Sequence, residues 1–223
     1  MDILLSQLFD GSINWIFHTY FMAFFFVLGG VLWWRMRREK AGWSELTEQH
    51  GLIFSEKAGD IVAGILPRFG LFRKGGVEQA TQVLRGSFNG VDMVAFNWFY
   101  RPDSLTGVRG GFLCVVINLA KPMPPLRLFP ESMDHFLSAL DPDRLVLDDD
   151  AFVARFRLQG RGRDFAKSFF HPKMIETIMA GSDILLEING DKLLIAKEGE
   201  LLPNNTISEI EQATAIAELA PKK

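Results

Sequence analysis

From Ile13 to Trp34 the chain reads INWIFHTYFMAFFFVLGGVLWW, without one Asp, Glu, Lys or Arg. As a helix such a run extends about 33 Å, enough to cross the hydrocarbon core of a bilayer. Tryptophans stand where the membrane–water boundary favours them, Trp15 near one end and Trp33 and Trp34 at the other. A cleaved signal peptide fits poorly, because Asp2 and Asp10 precede the run, no Lys or Arg does, and it ends in Trp-Trp-Arg rather than small residues. The pattern predicts a retained transmembrane helix over 13–34, preceded by a short extracytoplasmic N-terminus, 1–12.

Arg35, Arg37, Arg38 and Lys40 follow the span directly and form a basic juxtamembrane segment, 35–42. The positive-inside rule then places residues 43–223 in the cytoplasm, on the inner face of a plasma membrane of the bacterial type. With Trp33 and Trp34, these cations are the candidate topology and lipid-contacting residues; anionic lipid attracts such charges by about 1 kcal/mol each. His18 lies inside the span, where an ionisable group raises the question of a proton or partner role.

Beyond Trp43 the periodicity changes. Trp43–His50 reads as a short helix stopped by Gly51, Leu52–Phe54 as a short strand, and Ala58, Ile61, Val62 and Ile65 as a helix ended by Pro67. Pro67–Gly76 mixes aromatics with cations and reads as an edge strand with a glycine turn, the alternative being a loop that dips into the headgroup layer. The clearest β signal is Thr81–Phe88, Asn89-Gly90, Val91–Tyr100, a hairpin with a two-residue turn. Val91–Tyr100 is apolar on both faces and Phe112–Ile117 is continuously apolar, so these two strands are expected at the centre of a sheet.

Lys121-Pro-Met-Pro-Pro125 is expected to break the sheet before a short strand, Leu126–Phe129. Pro130 then opens a helix with Met133, Phe136, Leu137 and Leu140 on one face. Arg144–Leu147 and Phe152–Leu158 flank Asp148-Asp149-Asp150 as a hairpin, with Arg155 and Arg157 on its outer face. A helix from Asp164 breaks at His171-Pro172 and resumes to Gly181. Ile184–Ile188 and Lys192–Ala196 read as a second hairpin about Asn189-Gly190, and Thr206-Ile-Ser-Glu209 as a capping box opening the last helix. The order predicts an α+β domain of mostly antiparallel strands with packed helices, either one sheet or two similar small lobes, 43–141 and 142–223.

Composition narrows the function. With 24 Lys+Arg against 27 Asp+Glu the chain is mildly acidic, and the part after the juxtamembrane segment more so, which argues against nucleic acid as a partner. A single cysteine, Cys114, excludes a disulfide framework and reads as a small core residue. The four histidines, 18, 50, 135 and 171, show no metal-ligand spacing, and there is no HExxH, Walker loop or GxSxG; no metal or cofactor is expected. Asp148–Asp150 reads as a solvated turn, with a divalent cation as the alternative. Arg155, Arg157, Arg161 and Arg163 are a candidate surface for phosphate or an acidic partner, or offset those aspartates.

The loop Arg101–Gly111 offers Arg101, Asp103, Ser104 and Arg109 on a rigid sheet. The expected function is a single-pass membrane-anchored binding or assembly module, with membrane lipid and another membrane or cytoplasmic protein as partners. The alternatives are a domain that recognises anionic lipid, and an anchored enzyme joining the 101–111 loop to a histidine.

Overall fold

The computed structural model describes residues 11–73, 79–100, 110–133 and 144–221. Helix α1 runs unbroken from Gly11 to His50, so the expected spanning helix and the expected short helix at 43–50 are one element. Nothing between Trp34 and Trp43 interrupts it, since Arg, Lys, Glu, Met and Ala all favour helix and no Gly or Pro intervenes before Gly42. It ends where expected: Gly51 takes φ +65°, and Leu52 N–H donates back to Thr47 O at 3.2 Å, closing a Schellman cap. Every residue from His18 to Met36 is exposed, so the long apolar face of α1 has no protein against it.

Residues Leu46–Lys223 form a compact α+β unit of their own. Its strands are β1 (Ile53–Lys57), β2 (Gln79–Phe88), β3 (Val91–Tyr100), β4 (Gly110–Pro130), β5 (Arg144–Leu145), β6 (Phe156–Gly160) and β7 (Leu185–Glu198). Its helices are α2 (Asp60–Ile65), α3 (Asp150–Arg155), α4 (Arg163–Phe169), α5 (Pro172–Ala180) and α6 (Thr206–Leu219). Among the described residues, all seven strands belong to one antiparallel sheet.

The sheet is built on β4 and β7, which pair along nearly their whole lengths. Val115 of β4 faces Ala95 of β3 on one side and Ile195 of β7 on the other, while Leu128 faces Leu158 of β6 and Leu186 of β7. Strands β3-β2-β1 therefore attach to the first half of β4 and β6-β5 to its second half, with β7 opposite both. The proline segment Lys121–Pro125, expected to break the sheet, does not, since β4 runs through it. It sits inside β4, where residues 119–125 face only 189–191 of β7 and the register shifts. Prolines cannot donate to a ladder but are accommodated where pairing lapses.

The two faces are covered differently. On one, Phe96, Trp98, Cys114, Val116 and Leu194 pack with Val62, Ile65, Phe69 and Phe72. Phe69 joins two 3-10 turns, Leu66–Arg68 and Gly70–Arg73, and Phe72 lies in the second, all in the stretch expected to be an edge strand or a membrane-dipping loop. Phe69, Leu71 and Phe72 are buried instead, because the aromatics follow a helical turn's spacing and reach the sheet. The opposite face carries α6, whose Ile210, Ala213 and Ile216 are buried and whose Glu209 takes Lys197 Nζ at 2.7 Å.

Two further expectations are corrected by neighbours. Asp148–Asp150 is not a hairpin tip: Asp149 caps α3, its carboxylate accepting from Phe152 N–H at 2.9 Å, and the strand starts only at Phe156. The capping box at Thr206–Glu209 does not form, since Thr206 is buried with its hydroxyl donated to Leu202 O and Glu209 is held by Lys197. The helix expected from Pro130 begins as a 3-10 turn, Glu131–Met133; its remainder lies outside the described residues.

Candidate functional site

The juxtamembrane residues come together on the helical surface of α1. Arg37 lies over the ring of Trp33, with its guanidinium carbon 4.8 Å from the centroid, and Arg38 over Trp34 at 5.4 Å. Both pairs are spaced i, i+4, and helical side chains lean toward the N-terminus, so each guanidinium folds back one turn over its tryptophan. The rings are more than half exposed, and Arg35 and Lys40 flank them in the same helix.

The arginines singled out between 155 and 163 do not form one patch. Arg155 closes α3, so the two-residue period that would align it with Arg157 does not hold. Its guanidinium caps the end of α5, donating to Met179 O at 3.0 Å and Gly181 O at 2.9 Å, with Nε on Asp183 at 2.7 Å. Arg157 on β6 pairs with Glu131. Arg163 lies 3.5 Å from Asp148, whose other oxygen takes Lys167. Lys167 holds the Asp148 carboxyl below the usual range. Arg161 is exposed at the head of α4.

Arg101, Asp103, Ser104 and Arg109, and His135, lie outside the described residues. Of the other histidines, His50 closes α1 with its ring 5.5 Å from that of Phe88. His171 ties two helices: Nδ1 accepts from Met174 N–H at the start of α5, which leaves Nε2–H to donate to Leu219 O at the end of α6, 3.1 Å away. Cys114 is fully buried on the sheet, and burial pushes its thiol well up. Among the described residues no three His, Cys, Asp or Glu side chains gather as metal ligands would.

The densest polar constellation was not among the residues picked from sequence. Arg127, Glu187 and Gln159 lie side by side on β4, β7 and β6, since Arg127 is the register partner of both others. Arg127 Nη2 donates to Glu187 Oε1 at 2.8 Å and Nη1 reaches Gln159 Oε1 at 3.5 Å. Glu187 is almost fully buried, and both its oxygens accept from Gly70 N–H, at 2.8 and 2.9 Å. The Gly70 turn sits so close that a Cβ there would stand 2.2 Å from Arg127 Nη2. The alternating pattern hid this group: each residue reads as one more outward-facing polar position of a strand, and only the turn's arrival makes that face interior.

Concavities open among the described residues. One, of about 490 Å³, is floored by Leu147, Phe170, Ile175 and Met179 and rimmed by Asp148 and Glu176. Another, of about 210 Å³, lies between Phe112, Met133, Leu185 and the polar Ser132 and Ser182. Asp183 and Lys197, which also line the second, are held by Arg155 and Glu209.

No family model and no curated protein matches this chain. Among solved structures the chain is similar to the crystal structure of the mycobacterial trehalose monomycolate transport factor A, TtfA, with a TM-score of 0.52 at 13% sequence identity. The match covers 83% of this chain and 95% of that one. At such identity the likeness is one of architecture: the chain is similar in fold to that mycobacterial transport factor over most of its own length.

Proposed function

We propose that this protein is a single-pass, membrane-anchored binding or assembly module. The observation that carries the reading is α1, a helix long and apolar enough to cross a membrane, exposed at every residue from His18 to Trp34 and with tryptophan–arginine pairs where its apolar stretch ends. An exposed apolar surface of this size on a soluble domain would drive association; in a bilayer it is satisfied. The cations after Trp34 favour an orientation with Leu46–Lys223 in the cytoplasm against the plasma membrane.

In this reading α1 tethers the α+β unit, raising its effective concentration for a partner protein at the same membrane. The fold likeness to a protein described as a transport factor supports an accessory role beside other membrane components. The test is cross-linking mass spectrometry on the affinity-tagged full chain in native membranes. It is repeated with α1 residues 13–34 replaced by an unrelated spanning helix. A stoichiometric partner cross-linked to Leu46–Lys223 in both forms is the expected result. A partner lost on the exchange would move the binding role to the helix itself, and no partner in either form would overturn the reading.

A further inference from the structure

We propose that the stacked pairs Trp33–Arg37 and Trp34–Arg38 form a binding site for the phosphate of an anionic phospholipid, an inference that rests on α1 being the membrane anchor. Each guanidinium carbon lies over an indole ring, a contact that uses none of the N–H donors, so the planar fork of Arg37 and of Arg38 remains available to an acceptor outside the helix. That planar fork is the geometry that takes two phosphate oxygens at once, which a lysine ammonium cannot reproduce. The tryptophans mark the depth, because indoles settle at the headgroup boundary, and the backward lean of Arg37 and Arg38 brings their guanidiniums to that same level.

The axial spacing agrees. Arg35 to Lys40 spans about 7.5 Å of helix, within the thickness of one headgroup layer, about 5–7.5 Å. All four cations therefore share one layer, and Glu39 is the only carboxylate among them. Continuity of α1 through this segment keeps both i, i+4 pairs in register, where a linker would let them disperse.

The chemistry recognised is a phosphate ester, and its source separates in the assay. The full chain in neutral detergent is titrated with phosphatidylglycerol, with phosphatidylcholine and with inorganic phosphate, and bound lipid is counted by native mass spectrometry. Phosphatidylglycerol is expected to be retained over phosphatidylcholine by about fivefold per guanidinium, with inorganic phosphate at the same concentration not displacing it. The double variant Arg37→Lys/Arg38→Lys keeps the charge and the topology signal but loses the fork, and is expected to lower that preference by about two- to fivefold per pair. Equal retention of the two lipids, a lysine variant as selective as the parent, or displacement by inorganic phosphate would each overturn the site.

Fractionation of the expressing cells is read alongside. A chain found in the membrane but without lipid preference overturns this inference alone. A chain found in the soluble fraction overturns the anchor as well.

Discussion

Arg127 on β4 and Glu187 on β7 stand directly opposite each other in the ladder, with Nη2 and Oε1 2.8 Å apart, on a face closed by the turn at Gly70. Neither side chain is more than about one-seventh exposed. Buried pairs of this kind cost much to desolvate and more to break, because the survivor is left charged without a partner. Glu187→Ala is therefore expected to destabilise the fold by about 3–5 kcal/mol. Arg127→Met combined with Glu187→Leu is expected to regain most of that loss. Denaturant unfolding of the three forms measures it, and a double variant no more stable than Glu187→Ala would show that the pair's role is not electrostatic.

Gly70 acts through the same pair. A methyl group at this position meets only the end of Arg127, so Gly70→Ala is expected to cost stability by pushing the guanidinium off Glu187. In an Arg127→Met background the same substitution should be close to neutral, a coupling of about 1–3 kcal/mol in a double-mutant cycle. Additive effects would mean that the backbone, and not the arginine, needs the glycine.

Asn97 is buried on β3, and its side-chain oxygen accepts from Leu201 N–H at 2.6 Å, anchoring the chain that leads into α6. Its amide also donates to Gln82, a residue at φ +52° where β2 bulges. Asn97→Ala leaves Leu201 N–H without that acceptor and is expected to cost about 1–3 kcal/mol. Amide hydrogen exchange reads the effect locally: protection at Leu201 and the first turn of α6 should fall before that of β4.

Acid should act on the contact between α4 and the segment ahead of α3. The hydrogen bond from Lys167, followed by its charge, holds the exposed Asp148 carboxyl below its ordinary value. Its folded value being depressed, the contact's contribution is complete above the ordinary range of an Asp carboxyl, about pH 4, and is lost as pH falls through the lower folded value. Carbon-detected titration of Asp148 should move upward in Lys167→Met. An unchanged midpoint would show that the lysine does not set it.

Phe24 lies in the middle of the apolar stretch of α1 and is exposed. Phe24→Arg puts a charge at the centre of the proposed span, a cost of about 2.5–3.5 kcal/mol on insertion. Alkaline extraction of membranes should release a larger share of this variant than of the parent. Equal retention would place α1 on the membrane surface or against another protein.

Local chemistry carried much of the architecture. Charge-free length and terminal tryptophans suffice to predict a spanning helix, because crossing a bilayer is a requirement on composition alone. The hairpin at Asn89-Gly90 was equally legible, and both residues take positive φ, +52° and +80°. The α+β class, the central place of β3 and β4 and the burial of Cys114 follow from runs of apolar residues that only a covered sheet accommodates.

The same dipeptide shows where such reading ends. At Asn189-Gly190 only the glycine takes positive φ, +63°, and the chain continues as β7 because β4 pairs with it on both sides of the irregular stretch. Pairing between segments distant in sequence outweighs a turn preference worth little by itself. Arg127, Glu187 and Gln159 were likewise illegible, each an ordinary polar strand position until the ladder aligned them and the Gly70 turn excluded water. Sequence by itself determined the long apolar helix, the class of domain and the strongest turn, all properties of contiguous residues. Register, the single continuous sheet and the buried ion pair were decided by tertiary structure, since each depends on which distant segment arrives opposite, a quantity that no local pattern encodes.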